Sequence, residues 1–336
     1  MILDRLGRPL RDLRVSVTDE CNFRCTYCMP KDLFGEGHPF ISHKGLLSYD
    51  EIEKIVRVGV SLGIKKIKIT GGEPLLRPGL TELIERLAAI PELEDLGLIT
   101  NGFYLARQAE GLKKAGLKRI TISLDSLDPA TFAQISGRSE GLKPVLEGID
   151  KAVSTGFEPV KVNMVVQRGI NSHEVVKVAE YFRDSPVILR FIEYMDVGNR
   201  HNYDPNLLVP SKEILHQLEN HCKLVRADAN YLGEVATRYV YNDGSGEVGF
   251  ISSMTQPFCG DCNRLRLSAD GKLFRCLFSS LDMDIKALVR QSDPHQEELL
   301  AKAISRFWGF RDDRYSEIRG EVNDVPQKIE MYRMGG

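Results

Sequence analysis

Strand-like apolar runs alternate with helix-like stripes through the first two-thirds of the chain, and this alternation limits the fold more than any other feature. The runs cover residues 13–18, 66–70, 96–101, 119–124, 159–166 and 187–192. Such βα repetition implies a parallel sheet with right-handed crossovers. The segments between the runs carry matching helical signals. Ser48 and Glu51 form a capping-box pattern at the head of 49–62, which sets Ile52, Ile55, Val56 and Val60 on one face. Val145, Leu146, Ile149 and Val153 make a second stripe, and Val175, Val176, Val178, Ala179 and Phe182 a third. Six strands are too few to close an eightfold barrel. The expected fold is therefore α/β, an open (β/α)6 partial TIM-like barrel, with a doubly wound sheet as the other architecture the pattern allows.

The pattern changes at 211 to one helix, short strands broken by the turn residues Asn242, Asp243, Gly244, Ser245 and Gly246, and two further helices. A chain of 336 residues also exceeds the size at which one core keeps growing. Two domains are expected, 1–210 and 211–336, the second a C-terminal extension of short strands and helices. Lys plus Arg total 45 against 47 Asp plus Glu, a net charge of −2, so no overall field draws the chain to nucleic acid or to an anionic membrane. Anion binding has to be local. No stretch approaches about 18 uninterrupted apolar residues, and residues 1–10 lack an apolar core, so neither a membrane span nor a secretory signal is expected. That points to the cytoplasm, where the seven cysteines serve as ligands or free thiols.

Strands covered by helices need apolar residues on the outer face, so the alternate polar positions must point into the lumen. In the first strand Arg14, Ser16 and Thr18 oppose Leu13, Val15 and Val17; in the second Lys66 and Lys68 oppose Ile67 and Ile69. Thr121, Ser123 and Asp125 follow the same rule in the fourth, and Lys161 and Asn163 in the fifth. A packed lumen would be apolar on both faces, and a buried unpaired cation costs several kcal/mol. Inward cations therefore imply an anionic ligand, although Lys66 fits equally well at a solvated strand end. Arg264 and Arg266 share a face of another probable strand, where phosphate binding and a solvated face fit the spacing equally. The run Gly71-Gly72-Glu73-Pro74 ends the second strand, where glycine permits close backbone approach.

Two cysteine trios carry the strongest chemical signal. Cys21, Cys25 and Cys28 stand in C-N-F-R-C-T-Y-C directly after the first strand; Cys259, Cys262 and Cys276 lie near the other end. Close-set thiolates select zinc or an iron–sulfur cluster. A closed zinc site wants four ligands, and none completes the first trio. His221 or Cys222 could complete the second, yet no local spacing aims either at it, so an open cluster is the preferred reading of both. A site with three protein ligands leaves one position free for chemistry.

The Cys-x3-Cys-x2-Cys spacing resembles the signature of radical S-adenosylmethionine (SAM) enzymes, and G-G-E-P looks like their SAM-binding element. Together with L-R-V-S-V-T-D-E, I-T-N-G, R-F-I-E-Y-M-D-V-G-N and C-G-D-C-N-R-L-R-L-S, these segments are similar to the GTP 3′,8-cyclase family of molybdenum cofactor biosynthesis over essentially the whole chain. The resemblance implies two [4Fe–4S] clusters, one on each trio. It also implies reductive cleavage of SAM to a 5′-deoxyadenosyl radical, hydrogen abstraction from C3′ of GTP, and attack on C8 to give 3′,8-cyclo-7,8-dihydro-GTP. Partners implied are an external low-potential electron donor and the pyranopterin monophosphate synthase that takes the product; nucleic acid and membrane are not among them, and a homodimer is allowed.

By the same resemblance, SAM contacts fall to Tyr27, Gly72, Ser123 and Met195, with Glu73 and Asn163 beside them. GTP falls to Arg14, Lys68, Thr100, Lys161, Arg264, Leu265 and Arg266, with Arg190 as an accessory cation. Lys68 stands where the family more often has arginine, which keeps charge and gives up bidentate geometry. The tail, Gly335 and Gly336, is implied to enter the site and assist catalysis. Two rivals remain: a radical SAM peptide-modifying enzyme with an auxiliary cluster, which gives no reason for a lumen lined to bind an anion, and a non-enzymatic zinc-binding nucleic-acid module, opposed by the charge balance and the missing fourth ligands.

Overall fold

The computed structural model describes residues 2–35, 37–198, 203–231, 233–319 and 328–335. Six parallel strands form its centre: β1 (Asp12–Ser16), β2 (Lys66–Thr70), β3 (Asp95–Thr100), β4 (Arg119–Ser123), β5 (Val160–Val166) and β6 (Val187–Glu193). Each lies within two residues of the run read from the sequence. Helices cover one face. The helix Tyr49–Ser61 opens on the expected capping box: the Ser48 hydroxyl accepts from the Glu51 amide, and the Glu51 carboxylate accepts from the Ser48 amide.

Leu13, Val15, Ile67, Ile69, Ile120, Ile122, Val160, Val162 and Phe191 point outward from the sheet into one continuous core with Ile52, Ile55, Leu83, Leu112, Val145, Ile149, Val178 and Phe182 of the helices. Each contributes about 1.5–3 kcal/mol through burial. This core fixes register, because a slip of one residue would turn every inward polar side chain into it.

Six further strands follow: β7 (Leu224–Ala227), β8 (Thr237–Tyr241), β9 (Glu247–Ile251), β10 (Arg264–Leu267), β11 (Lys272–Phe274) and β12 (Met283–Asp284). They do not build a sheet of their own. β10 pairs parallel with β1 and β9 pairs parallel with β6, so the chain beyond residue 210 extends both edges of the central sheet. The order is β12-β11-β10-β1-β2-β3-β4-β5-β6-β9-β8-β7, ending on two different strands. The sheet is thus an open barrel, as expected, and its lumen gains a wall on each side from the C-terminal segment. Among the described residues no helix is long and apolar enough to cross a membrane.

Candidate functional site

Alternation along the strands sets what faces the lumen. Arg266, Arg14 and Lys68 are direct neighbours across β10, β1 and β2, while Ser123, Asn163 and Arg190 are neighbours across β4, β5 and β6. With Arg264 they line a cavity of about 220 Å³ that also receives Cys259, Cys262 and Cys276. Lys161 is buried on the same strand face, one step below Asn163. Among the described residues no carboxylate lies in ion-pair range of Arg14, Lys68, Lys161, Arg190, Arg264 or Arg266. The Nε of Arg14 has no partner at all, and Arg190 spends its Nε on the Asn163 side-chain oxygen at 2.9 Å.

This crowding shows in proton affinity. Burial pushes Arg14 and Arg190 each down to about 10 and Lys161 down to about 8, with neighbouring cations adding to the effect. Lys68 and Arg266 are driven well below their ordinary values, by burial first. Arg264 ends above its usual value, because Cys262 and Asp12 outweigh its burial. Six like charges with no carboxylate in ion-pair range carry a cost that an anionic ligand would repay. Arg266 is buried and both arginines line the cavity, so their shared face is turned into the lumen.

The first trio opens on an adjoining cavity, lined by Cys21, Cys25, Cys28, Gly71, Gly72, Thr100, Asn101 and Met331 among others; Tyr27, Ser123 and Asp125 border both cavities. Gly71 and Gly72 are required by packing. A Cβ on Gly71 would meet the Thr18 carbonyl at 2.4 Å, and one on Gly72 would meet the Glu20 carbonyl at 2.3 Å. The Gly72 and Glu73 amides donate to those two carbonyls at 2.8 and 2.7 Å, locking the turn against the segment that leads into Cys21.

The chemistry of the donors fits a metal-bound thiolate. The Phe23 amide and the Asn101 side-chain amide donate toward the Cys21 Sγ at 3.4 and 3.8 Å; Arg311 and Arg264 donate toward the Cys262 Sγ at 3.1 and 3.5 Å. Burial pushes Cys21 up to about 12 and Cys276 up to about 11, and raises Cys25 and Cys28 far above the usual thiol. Cys262 falls to about 6 because Arg264 and Arg311 overcome its burial. A bound metal would be needed to hold the other thiols ionised. Cys222 does not join the second trio: it donates to the Leu218 carbonyl at 3.2 Å and lies beside Arg183. Among the described residues no group of three or more His, Cys, Asp or Glu side chains is arranged to hold a single metal ion.

Several expected site residues land elsewhere than their predicted ligand suggests. Glu73 does not line either cavity; its carboxylate is buried and accepts from the Thr100 hydroxyl at 2.6 Å, the Asn101 amide at 2.7 Å and the Leu75 amide at 3.0 Å. Burial pushes it up to about 7 against those three hydrogen bonds. Thr100 borders the first-trio cavity and not the cation-lined one. Leu265 turns its side chain into the core, paired with Leu13, leaving only its main chain for a ligand. Met195 lines the cation-rich cavity.

The tail segment Met331–Met334 packs into the lumen, and Arg266 donates to the Gly335 carbonyl. At Gly335, φ is 69°, and a Cβ would come within 2.1 Å of the Thr70 methyl, so only glycine fits. Gly336 lies outside the described residues.

Asp125 was not among the expected ligands. Its carboxylate accepts from the Tyr27 hydroxyl at 2.6 Å and the Val165 amide at 2.8 Å, and burial pushes it up to about 6. Its place on the inward face of the fourth strand was the available signal. Asn101, which bonds Asn22 at 2.8 Å as well as approaching Cys21, could be found only through the strand-end motif.

Residues 15–182 match the Radical SAM superfamily, and residues 187–317 match Molybdenum Cofactor Synthesis C. A protein named GTP 3′,8-cyclase from Xanthomonas axonopodis pv. citri is 49% identical over 333 residues, covering 99% of this chain and 98% of that one. Another of the same name from Acidothermus cellulolyticus is 48% identical over 325 residues, covering 96% and 90%. Among solved structures, Streptococcus suis SuiB bound to S-adenosylmethionine superposes with a TM-score of 0.63 at 12% identity, covering 97% of this chain and 77% of that one, a likeness of fold alone.

Proposed function

The chain belongs to the GTP 3′,8-cyclase family of the radical SAM superfamily, and on that premise we propose that its two adjoining cavities hold SAM and GTP for the first step of molybdenum cofactor biosynthesis. The family's cofactors are SAM and two [4Fe–4S] clusters. Cys21, Cys25 and Cys28 would hold one cluster and Cys259, Cys262 and Cys276 the other. When bound, the first cluster supplies the electron that cleaves SAM and so generates the radical that abstracts hydrogen from the ribose.

The observation that carries the reading is a set of six cations, Lys161, Arg190 and Arg266 buried and Arg14, Lys68 and Arg264 half-buried, with no carboxylate in ion-pair range among the described residues, in a lumen shared with both trios. A triphosphate supplies the missing charge. Arg14, Lys68, Lys161, Arg190, Arg264 and Arg266 would bind it, with Lys68 acting as a point charge. Tyr27, Gly72, Ser123, Asn163 and Met195 would frame SAM between the first trio and the nucleotide. Glu73 would act by tying the Thr100-Asn101 strand end to the chain just after the Gly71-Gly72 turn, and Thr100 through Glu73. Gly335 would share the Arg266 guanidinium with the substrate, keeping the tail at the reacting centre. Orientation and exclusion of water are the protein's contribution to the radical step.

Cytoplasmic location, an external low-potential electron donor and a pyranopterin monophosphate synthase acting on the product complete the proposal. Anaerobic incubation with SAM, reductant and GTP tests it: 5′-deoxyadenosine and 3′,8-cyclo-7,8-dihydro-GTP should form together. Formation of 5′-deoxyadenosine with a peptide but no cyclised nucleotide would sink the reading, as would protein that carries zinc and no sulfide.

A further inference from the structure

A network of buried, mutually paired charges stands behind the second trio, whereas at the first trio Arg24 holds the loop through main-chain carbonyls. Asp4 and Arg8 pair at 2.6 Å with both side chains almost fully buried. Arg311, 1% exposed, approaches Asp4 at 3.6 Å and Asp313 at 3.8 Å and stacks on Trp308, whose indole N–H is held by the Arg8 carbonyl at 3.1 Å. The two arginines then reach the cysteine loop. Arg8 donates to the Cys259 carbonyl at 2.7 Å, and Arg311 donates to the Cys262 carbonyl at 2.5 Å and to the Cys262 Sγ at 3.1 Å.

Carbonyl contacts alone would suffice to hold the loop. The bond to sulfur has a different consequence, because an N–H donor drawn to a thiolate ligand withdraws charge from the metal and favours its reduced form. At the first trio the only comparable donors among the described residues are neutral: the Phe23 amide and the Asn101 side chain, both on Cys21. Arg24 reaches the first trio only through main-chain carbonyls, including that of Cys21 at 2.6 Å, so a guanidinium donating to the sulfur itself distinguishes the second site.

We propose that Arg311 is a positioning residue that raises the reduction potential of the second cluster through its hydrogen bond to Cys262, with Asp4 and Trp308 holding it in place. This rests on the two-cluster reading above. The two [4Fe–4S] centres of this chain are then not electronically equivalent, and a reductant fills the second at a higher potential than it would without the guanidinium. The balance is one electron taken from the reductant and one gained by the cluster, with no bond made or broken.

The test is an EPR-monitored redox titration of anaerobically reconstituted full-length chain, comparing wild type with Arg311→Gln and Arg311→Lys. A background in which Cys21, Cys25 and Cys28 are alanine reads the second cluster alone. In Arg311→Gln its midpoint should move to more negative potential, in Arg311→Lys it should recover part of the shift, and the first cluster measured in the intact background should not move. An unchanged second midpoint in an iron-loaded variant overturns the proposal, as does an equal shift of both clusters or loss of second-site iron from both variants of a folded chain. Iron and sulfide analysis of the wild type separates this failure from that of the underlying reading, which falls if no second cluster is present at all.

Discussion

The two ends of the lumen use the same device, three cysteines, in opposite electrostatic settings. At the first trio the carboxylates of Asp125 and Glu73, both raised by burial, stand close by, Arg24 donates only to the main-chain carbonyls of Cys21, Phe23 and Phe34, and the sulfur donors are neutral amides. At the second, Arg264, Arg266, Arg275 and Arg311 line the cavity, and two guanidiniums donate to one sulfur. The difference teaches that a cysteine motif specifies where a cluster sits, while the surrounding charge specifies what binds next to it. A cationic sulfonium is compatible with the first setting and a triphosphate with the second.

Removing either trio should break the comparison most severely. Cys28→Ala and Cys259→Ala are each expected to lose roughly half the iron and all cyclisation, but only Cys28→Ala should abolish SAM cleavage; equal loss of cleavage in both would merge the two ends into one function. Next comes Arg266→Ala, expected to weaken GTP binding by about 1.5–3 kcal/mol, the worth of a charged hydrogen bond, with SAM affinity little changed by calorimetry. Unaltered GTP affinity would remove Arg266 from the anionic end.

Lys161 sharpens the contrast through pH. Its ammonium is the form that pairs with phosphate, and burial lowers its value to about 8 in the free protein. GTP affinity should therefore hold below pH 8 and fall above it by up to about tenfold per pH unit. Lys161→Arg should flatten the part of that slope Lys161 carries, while SAM affinity shows no such slope; identical profiles for wild type and variant refute the assignment. The smallest effect is expected for Glu73→Gln, about 1 kcal/mol of stability, because an amide NH2 must face the Asn101 or Leu75 N–H it replaces as an acceptor. Thermal melts and SAM titration read it, and unchanged values in both would leave the Thr100-Asn101 strand end without need of its tie.

Much of this was legible in the chain. Strand alternation placed Arg14, Lys68, Ser123, Lys161 and Asn163 on the lumen face, because a period of two carries each side chain's direction with it. The same rule turns the Leu265 side chain into the core, leaving only its main chain for the GTP contact that the family resemblance implied. The resemblance also set Glu73 at SAM, whereas packing gave its carboxylate three hydrogen-bond donors in the interior. The C-terminal strands read as an appended unit because their spacing says nothing of which sheet edge they join; β9 and β10 find the two exposed edges of β6 and β1.

By itself the sequence determined the kind of chemistry and the axis along which it is laid out: two three-thiol sites, a turn of glycines and a row of inward cations, all encoded within single strands or loops. Only the tertiary structure decided that Asp4, Arg8 and Arg311 meet behind Cys259 and Cys262, that Asp125 receives Tyr27, and that Gly335 reaches Arg266. Partners hundreds of residues apart, such as Trp308 and Arg8, leave no periodic trace in a chain. Their pairing is chosen by the closing of a core around charges that cannot be buried alone.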